Sequence, residues 1–193
     1  MKKSTMIVIG VIVVAILWAV SAYNGMVGKQ EFATTALANV QATYQRRADL
    51  LPNLTKTVKA YAKHEKETFE AVTKARTEAT QIKLDAESLT PEKLAAFQKA
   101  QGDVAAAFGR LMAIAENYPE LKASENFKDL QVQLEGTENR INEARQKYND
   151  AVQKYNQSVR TMPNVLVAGI FGFEKMSKFE AAEGSEKAPD LDI

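Results

Sequence analysis

Cysteine is absent from the 193-residue chain, and histidine occurs once, as His64. Without thiols, disulfides, cysteine nucleophiles and thiolate metal sites are excluded. A single imidazole argues against a histidine-based metal cluster or a Ser-His-Asp triad. The sequence also lacks phosphate-binding loops, dinucleotide-binding glycine motifs and G-x-S-x-G elbows. It therefore predicts a protein that is not an enzyme and that uses no cofactor, metal or small-molecule substrate.

An excess of charge of one sign is lacking too, because 25 Lys and Arg residues face 24 Asp and Glu residues, for a net charge of +1. A nearly neutral chain gives no electrostatic case for binding nucleic acid. Glycine and proline are scarce, at 9 and 5 residues, and one domain is the expectation at this length.

The N-terminal apolar run, residues 6–23, is long enough to cross a membrane. It begins at Met6 and reaches Tyr23 without a charged residue, and about 18 helical residues span a hydrocarbon layer of ~30 Å. Trp18 and Tyr23 lie towards its far end, where interfacial aromatic residues are favoured. A cleaved signal peptide with a small-residue site at 20–22 is the alternative, but the run exceeds most signal-peptide cores. A retained single-pass membrane anchor, with the lipid bilayer as partner, is therefore predicted.

Basic residues beside this run predict its orientation. Lys2 and Lys3 precede it, whereas only Lys29 follows within about 20 residues. The positive-inside rule then leaves residues 1–5 in the cytoplasm and places the rest of the chain on the outer face of the membrane.

The remainder of the chain predicts an all-α fold. Thr90 and Ser124 are typical helix caps, and short loops between long helices favour antiparallel neighbours. The N-terminal transmembrane helix is therefore predicted to precede an elongated antiparallel three-helix bundle within residues 24–163. Apolar residues spaced three and four apart place its helices at about residues 30–83, 91–117 and 125–161.

Pro52 falls inside the first of these bundle helices, where proline removes a hydrogen bond. The apolar stripe keeps one phase on both sides of Pro52, which predicts a helix that continues through it with a kink. A break, followed by a new helix capped by Asp49, is the alternative.

The three predicted helices differ in length, at about 80, 40 and 55 Å for a rise of 1.5 Å per residue. The second would return only to the level of residue 55, which leaves the apolar stripe of residues 30–50 uncovered. A regular uncovered stripe favours a second copy as its partner, with lipid contact or fraying as alternatives. The predicted interface of this homo-oligomer consists of Leu37, Val40, Tyr44, Arg47 and Leu51.

Charged residues of the first bundle helix indicate two further features. Arg47 falls on the apolar side and needs a carboxylate or carbonyl partner. A buried ion pair that fixes packing is preferred there over anion binding. A row of lysines spaced 3, 4 and 3 apart lies on one helix face and would suit an acidic protein partner, although a solvated face is the ordinary interpretation. These lysines are Lys56, Lys59, Lys63 and Lys66.

The C-terminal part divides into an apolar and a polar segment. NVLVAGIFGF, residues 164–173, is too short to span a bilayer. It is predicted to cover the end of the bundle as an apolar strap, with contact to the membrane interface or to neighbouring copies as alternatives. Residues 174–193 are polar, which predicts disorder. The amides and tyrosines of residues 134–156 lie close to the third helix's apolar side and are expected to need partners.

Three stretches resemble one known family. They are RRADLLPNLTKTVKAYAKHEKETFEAVTKAR (46–76), AENYPELKASENFKDLQVQLEGTENRINEARQKYNDAV (115–152) and AGIFGFEKMSKFEAAEGSEKAP (168–189). In content and order they are similar to the LemA family of bacterial membrane-anchored proteins, although residues 34–45 lack an expected tryptophan. The resemblance implies one N-terminal helix in the bacterial cytoplasmic membrane, a helical bundle and no catalytic residues. A magnetosome-forming relative implies a role in shaping or organising membranes.

Two hypotheses for function follow. The first is a membrane-anchored scaffold that self-assembles through its stalk helix and organises membrane or recruits other membrane proteins. The second is a monomeric, membrane-tethered adaptor or receptor that binds a separate protein through the lysine row and residues 164–173.

Overall fold

The structure is a computed structural model that describes residues 3–86 and 88–180. Within these residues the chain forms helices and connecting segments, and no strand. The helices are α1 (Lys3–Tyr61), α2 (Lys66–Gln81), α3 (Pro91–Glu116), α4 (Pro119–Ala123), α5 (Glu125–Arg160) and α6 (Asn164–Phe171). The prediction of an all-α chain with one long apolar N-terminal helix is confirmed.

The first helix, α1, joins the apolar N-terminal run to the bundle and continues through Pro52. Because Pro52 has no N–H, the carbonyl of Ala48 one turn earlier loses its helical partner. The Nε of Arg76 in α2 donates to that carbonyl at 3.2 Å, and the guanidinium lies 3.7 Å from the carboxylate of Asp49. The carbonyl that proline frees is therefore an attachment point for α2.

The helix predicted over residues 30–83 differs at its C-terminal end. α1 ends at Tyr61, residues 62–65 form a turn, and α2 then runs back along α1. The bond from Arg76 to Ala48 shows this reversal, because a continuous helix would carry the two residues about 42 Å apart at 1.5 Å per residue. Residues 66–81, predicted to be the end of the first helix, therefore form a separate helix that packs beside α3, the second predicted helix.

The half of the bundle farthest from the apolar run consists mainly of four helices, α1, α2, α3 and α5, and not of the three that were predicted. α3 runs in the same direction as α1, since Tyr44 and Arg47 lie beside Phe97 and Gln101, respectively. α2 and α5 run in the opposite direction. Large apolar side chains of all four helices fill this core, among them Leu51, Leu54, Val58, Phe69, Val72, Val104, Phe108, Leu111 and Phe127.

The half nearer the apolar run consists of α1, α5, the start of α3 and two connecting segments. Leu37 and Val40 of α1 are buried there. The side chain of Gln41 donates to the carbonyl of Leu84 at 2.7 Å and accepts from its N–H at 3.1 Å, which holds the α2–α3 connection against α1. Phe179, from beyond α6, closes the same cluster. The stripe predicted to be uncovered is therefore covered by the chain itself.

The helix starts follow the predicted caps. The hydroxyl of Thr90 accepts from the N–H of Lys93 at 3.2 Å, and that of Ser124 accepts from the N–H of Phe127 at 3.2 Å. Each bond satisfies one of the free N–H groups of a first helical turn. α3 and α5 consequently begin and end within one residue of their predicted bounds.

The C-terminal part departs from its prediction in two ways. Residues 164–171 of the predicted strap form helix α6, and Gly172 ends it with φ +71°, a conformation that favours glycine. Residues 174–180 of the predicted disordered tail lie against α5 instead, and together with Phe173 they are called the docked segment below. The rest of the predicted disordered tail, residues 181–193, lies outside the described residues.

Candidate functional site

The candidate membrane span of α1 presents its apolar side chains outward. α1 contains a stretch long and apolar enough to cross a membrane, and within that stretch no residue is buried by the rest of the chain. Met6, Trp18 and Tyr23, the three predicted anchor residues, are all exposed. A composition this apolar, exposed along most of its length, is typical of a segment surrounded by lipid.

Helix α6 packs beside the last turns of this span. The ring of Tyr23 meets the rings of Phe171 and Phe173 at centroid distances of 4.9 and 5.4 Å. On its inner face, Val167 and Ala168 are buried in a small cluster with residues of α1 and α5. α6 is therefore fixed at the level where the apolar run ends and the bundle begins.

The outer face of α6 is apolar, and none of the described residues covers it. Ile170 is 78% exposed, and Met162, Leu166 and Phe171 are each more than half exposed. Large apolar side chains grouped in this way mark a surface that another molecule or a membrane covers. Because α6 adjoins the span, its exposed apolar side chains lie close to the apolar surface of α1. We call α6 and the adjoining end of the span the foot.

The docked segment is attached to α5 by two asparagines. Asn156 donates to the carbonyl of Met176 at 2.8 Å and accepts from its N–H at 2.9 Å. Asn149 donates to the carbonyl of Phe179 at 2.9 Å and accepts from its N–H at 2.9 Å. Tyr148 adds a bond from its hydroxyl to a backbone carbonyl, that of Ser177, at 2.8 Å. These bonds replace the backbone partners that an irregular segment lacks.

One aromatic side chain anchors the docked segment. Phe179 is 4% exposed and lies in a pocket between α3 and α5. Its ring contacts those of Tyr148 and Phe97, at centroid distances of 5.4 and 6.4 Å, and the guanidinium of Arg145 lies 5.2 Å from its centroid. Burial raises the pKa of Tyr148 to about 12, because a phenolate in this pocket would lose its hydration.

Arg47 is buried within the chain and has partners there. Its guanidinium donates to Glu138 of α5 at 2.9 Å, and to the backbone and side-chain oxygens of Gln101 in α3 at 2.6 and 2.8 Å. It also lies 5.1 Å from the ring centroid of Tyr44. Burial raises the pKa of Tyr44, and the nearby cations Arg145 and Arg47 oppose that rise. The cluster joins three helices at one level.

The burial of Arg47 and its neighbours removes the reason for which an interface between copies was predicted here. All five predicted residues, Leu37, Val40, Tyr44, Arg47 and Leu51, are buried among the chain's own helices. The premise of an uncovered stripe is therefore wrong, because α2 turns back, α5 is long, and the docked segment fills the remaining gap. Self-association through these residues stays a prediction without that premise.

The predicted lysine row lies at the end of the bundle far from the foot. Lys56, Lys59, Lys63 and Lys66 are all exposed. Lys59, Lys63 and Lys66 line an open cleft of about 920 Å³ beside α2. Lys66 lies 3.7 Å from Glu70 of its own helix, an exposed contact that adds little stability.

A protein-family model described as the LemA family matches residues 36–192. The chain belongs to the LemA family. Magnetosome protein MamQ of Magnetospirillum gryphiswaldense is 29% identical to it in an alignment of 174 positions that covers 81% of this chain and 64% of that protein. Magnetosome protein MamQ 2 of Paramagnetospirillum magneticum is 29% identical in an alignment of 175 positions that covers 82% of this chain and again 64% of the relative. The chain thus spans slightly less than two thirds of the length of these relatives.

Two groups in this LemA-family chain were not recognisable as binding residues from the sequence. The amides of residues 134–156 were expected to need partners, but that expectation did not single out Asn149 and Asn156, which are seven residues apart and so share a helix face. Phe179 was assigned to a disordered tail because polar neighbours surround it in sequence. Among the described residues, no group of His, Asp or Glu is arranged to hold a metal ion.

Proposed function

We propose that the chain is a membrane-anchored structural protein that holds a helical bundle against the bilayer and organises membrane or membrane proteins there. Membership of the LemA family and the candidate span support a membrane protein of this type. The observation that carries the proposal is the foot, in which the exposed apolar face of α6 adjoins the end of the span. The proposal assigns the chain no catalytic step.

The apolar face of α6 gives the bundle a second attachment to the membrane. Burying a side chain such as Leu166, Ile170 or Phe171 in an apolar phase contributes about 1.5–3 kcal/mol, and all three are more than half exposed. At 8 residues, α6 is too short to cross the bilayer, so it would lie in the interface. Attachment through both the span and α6 would fix the angle between the bundle and the membrane, whereas attachment through the span alone would leave that angle variable.

Single cysteines test the position of α6, because the native chain has none. Ile170→Cys, carrying an environment-sensitive fluorophore, is compared in vesicles with Val132→Cys. Val132 is a matched control because it is also apolar and 68% exposed, but it lies towards the other end of α5. Lipid-borne quenchers should quench the label at position 170 and leave that at position 132 unaffected. Equal quenching by a water-soluble quencher at both positions would refute lipid contact.

The proposal includes association of copies in the membrane of a bacterium, with the bundle on its outer face. The stripe of residues 30–50 offers little surface for association, because the chain itself buries it. The mass of the detergent-solubilised full chain is compared with that of a chain that begins at Gly25. A defined multimer in the full chain supports a scaffold, and a monomer in both favours the adaptor described next.

The second candidate function is a tethered adaptor, and the lysine cleft favours it. Within the described part of the chain, Lys59 and Lys63 form no ion pair, and Phe69 is the one apolar residue in the cleft lining, which also includes Glu70 and Glu78. An acidic, partly apolar protein surface would fit. Lys59→Glu with Lys63→Glu should abolish capture of such a partner, whereas the control Lys99→Glu with Lys128→Glu makes the same charge change elsewhere. Equal capture by both variants would exclude the cleft.

A further inference from the structure

The docked segment is bound chiefly through its backbone. Asn149 and Asn156 each exchange two hydrogen bonds with one of its residues. The carbonyl of Glu180 accepts from Arg145 at 2.8 Å and from Gln98 at 3.0 Å. Groups that bind backbone N–H and C=O in this manner recognise an extended chain whatever its side chains, as in strand addition to a sheet edge.

The spacing of the two asparagines matches an extended peptide. Asn149 and Asn156 are seven positions apart in α5, a rise of about 10.5 Å. Their partners, Met176 and Phe179, are three residues apart, which is about 10 Å in an extended chain. The segment therefore runs antiparallel to α5 with its backbone in register with one face of the helix.

Side-chain selectivity comes from a single pocket. Phe179 enters it between Phe97 and Tyr148, with Arg145 over its ring. Three residues earlier, Met176 is partly buried against the neighbouring clusters. The ligand that fits is an extended peptide with an aromatic residue three positions after an apolar one.

We propose that this surface of α3 and α5 is a peptide-binding groove, and that the docked segment of a neighbouring copy occupies it in exchange for the chain's own. The contacts within the groove are the same from either source, so exchange loses no hydrogen bond and leaves no pocket empty. Gly172 joins the segment to α6, and because the N–H of Phe173 donates to the carbonyl of Ala168 at 3.0 Å, residues 174–180 are the part that exchanges.

Membrane anchoring favours the exchange, and in this respect the inference rests on the proposed function. Because each copy is anchored by its own identical span, the grooves of all copies lie at the same height above the bilayer. A docked segment released from one copy then meets a neighbour's groove at a high effective concentration. The groove thereby supplies a contact between copies that the buried stripe of residues 30–50 does not.

Two chains, each carrying one cysteine, test the exchange. The amine of Lys178 in the docked segment lies 3.2 Å from the side-chain oxygen of Gln153 in α5, and both residues are exposed. Full chains carrying Lys178→Cys or Gln153→Cys are produced in the same cells, and their membranes are treated with a short bis-maleimide. The control replaces Gln153→Cys with Lys154→Cys, which lies at the same height on another face of α5.

Exchange predicts on the order of tenfold more heterodimer from the groove pair than from the control pair, because docking holds the two thiols together. Asn149→Ala with Asn156→Ala should reduce the yield to the control level, whereas Asn142→Ala, exposed one heptad earlier on α5, should not. Equal yields from both pairs would overturn the inference. So would a crosslink that forms only within one chain when both cysteines are present in it.

Sedimentation with membranes is scored in the same samples. A protein found in the soluble fraction would mean that the proposed function fails. A protein in the membrane fraction whose two cysteine pairs give equal yields would mean that the exchange alone is refuted.

Discussion

The ion pair between Arg47 and Glu138 provides a quantitative test of the bundle. The side chain of Arg47 is 4% exposed and that of Glu138 is 42% exposed, at a distance of 2.9 Å. Arg47→Met keeps most of the apolar stem and removes the charge, and Glu138→Gln removes the carboxylate with little change in volume. The two single variants and the double variant form a thermodynamic cycle that isolates the pair.

The expected coupling energy lies between those of exposed and buried pairs. Exposed pairs contribute about 0.2–1 kcal/mol, and removing one partner of a fully buried pair costs about 3–5 kcal/mol. One end of this pair is buried and the other is half in water, so we expect a coupling of about 2 kcal/mol. Gln101 continues to accept two bonds from Arg47 when Glu138 is changed, which keeps the coupling below the buried limit.

Urea unfolding of a chain that begins at Gly25 measures the coupling, at two protein concentrations and in low and high salt. Lys147→Met with Glu143→Gln is the control cycle, because that pair is exposed at both ends although its distance is only 2.7 Å. Its coupling should be about 0.3–0.5 kcal/mol and vanish in salt. A coupling for Arg47 and Glu138 below about 0.5 kcal/mol would refute the reasoning. A coupling that changes with protein concentration would instead place Arg47 between copies, as the sequence predicted.

Two further predictions concern Pro52 and Tyr148. Arg76→Met should lower the free energy of unfolding by about 1.5 kcal/mol in the native background and by about 0.5 kcal/mol in a chain that also carries Pro52→Ala. The difference is expected because alanine supplies the N–H that the carbonyl of Ala48 lacks. Equal losses of unfolding free energy in urea would contradict this prediction. The pKa of Tyr148, about 12 when folded, exceeds the unfolded value of about 10, so the folded state retains a proton that the unfolded state loses. The stability that this difference provides is complete below pH 10 and lost between pH 10 and 12. Tyr148→Phe should flatten that part of the pH profile.

Much of the fold could be predicted because local signals were strong. The apolar N-terminal run, the capped starts of α3 and α5 and the passage of α1 through Pro52 each depend on a few neighbouring residues. The turn at residues 62–65 was missed because it contains neither glycine nor proline. The sequence shows this turn only as an interruption of the apolar stripe, because Glu65 and Thr68 occupy two successive positions where the stripe would have apolar residues. A helix that turns back retains its period, so the period alone did not show the turn.

The candidate site was less predictable because its contacts are long-range. Arg47 was expected to find a carboxylate, but Glu138 lies 91 residues away in sequence, and no local pattern indicates that pairing. The docked segment has no period at all, since its backbone is satisfied by the side chains of Asn149 and Asn156. A polar sequence that a groove binds looks the same as a polar sequence that is disordered.

The foot and the groove are linked through the order of the chain. α6 is joined to the end of α5 on one side and, through Gly172, to the docked segment on the other. A docked segment bound at Asn149 and Asn156 therefore holds the C-terminal end of α6 near Tyr23, whereas a released segment leaves α6 held by its own contacts with α1 and α5. If a neighbour's segment fills the groove, each copy's α6 is tied to the next copy's α5. The docked segment would then determine both the orientation of the bundle relative to the membrane and which neighbouring bundle it contacts.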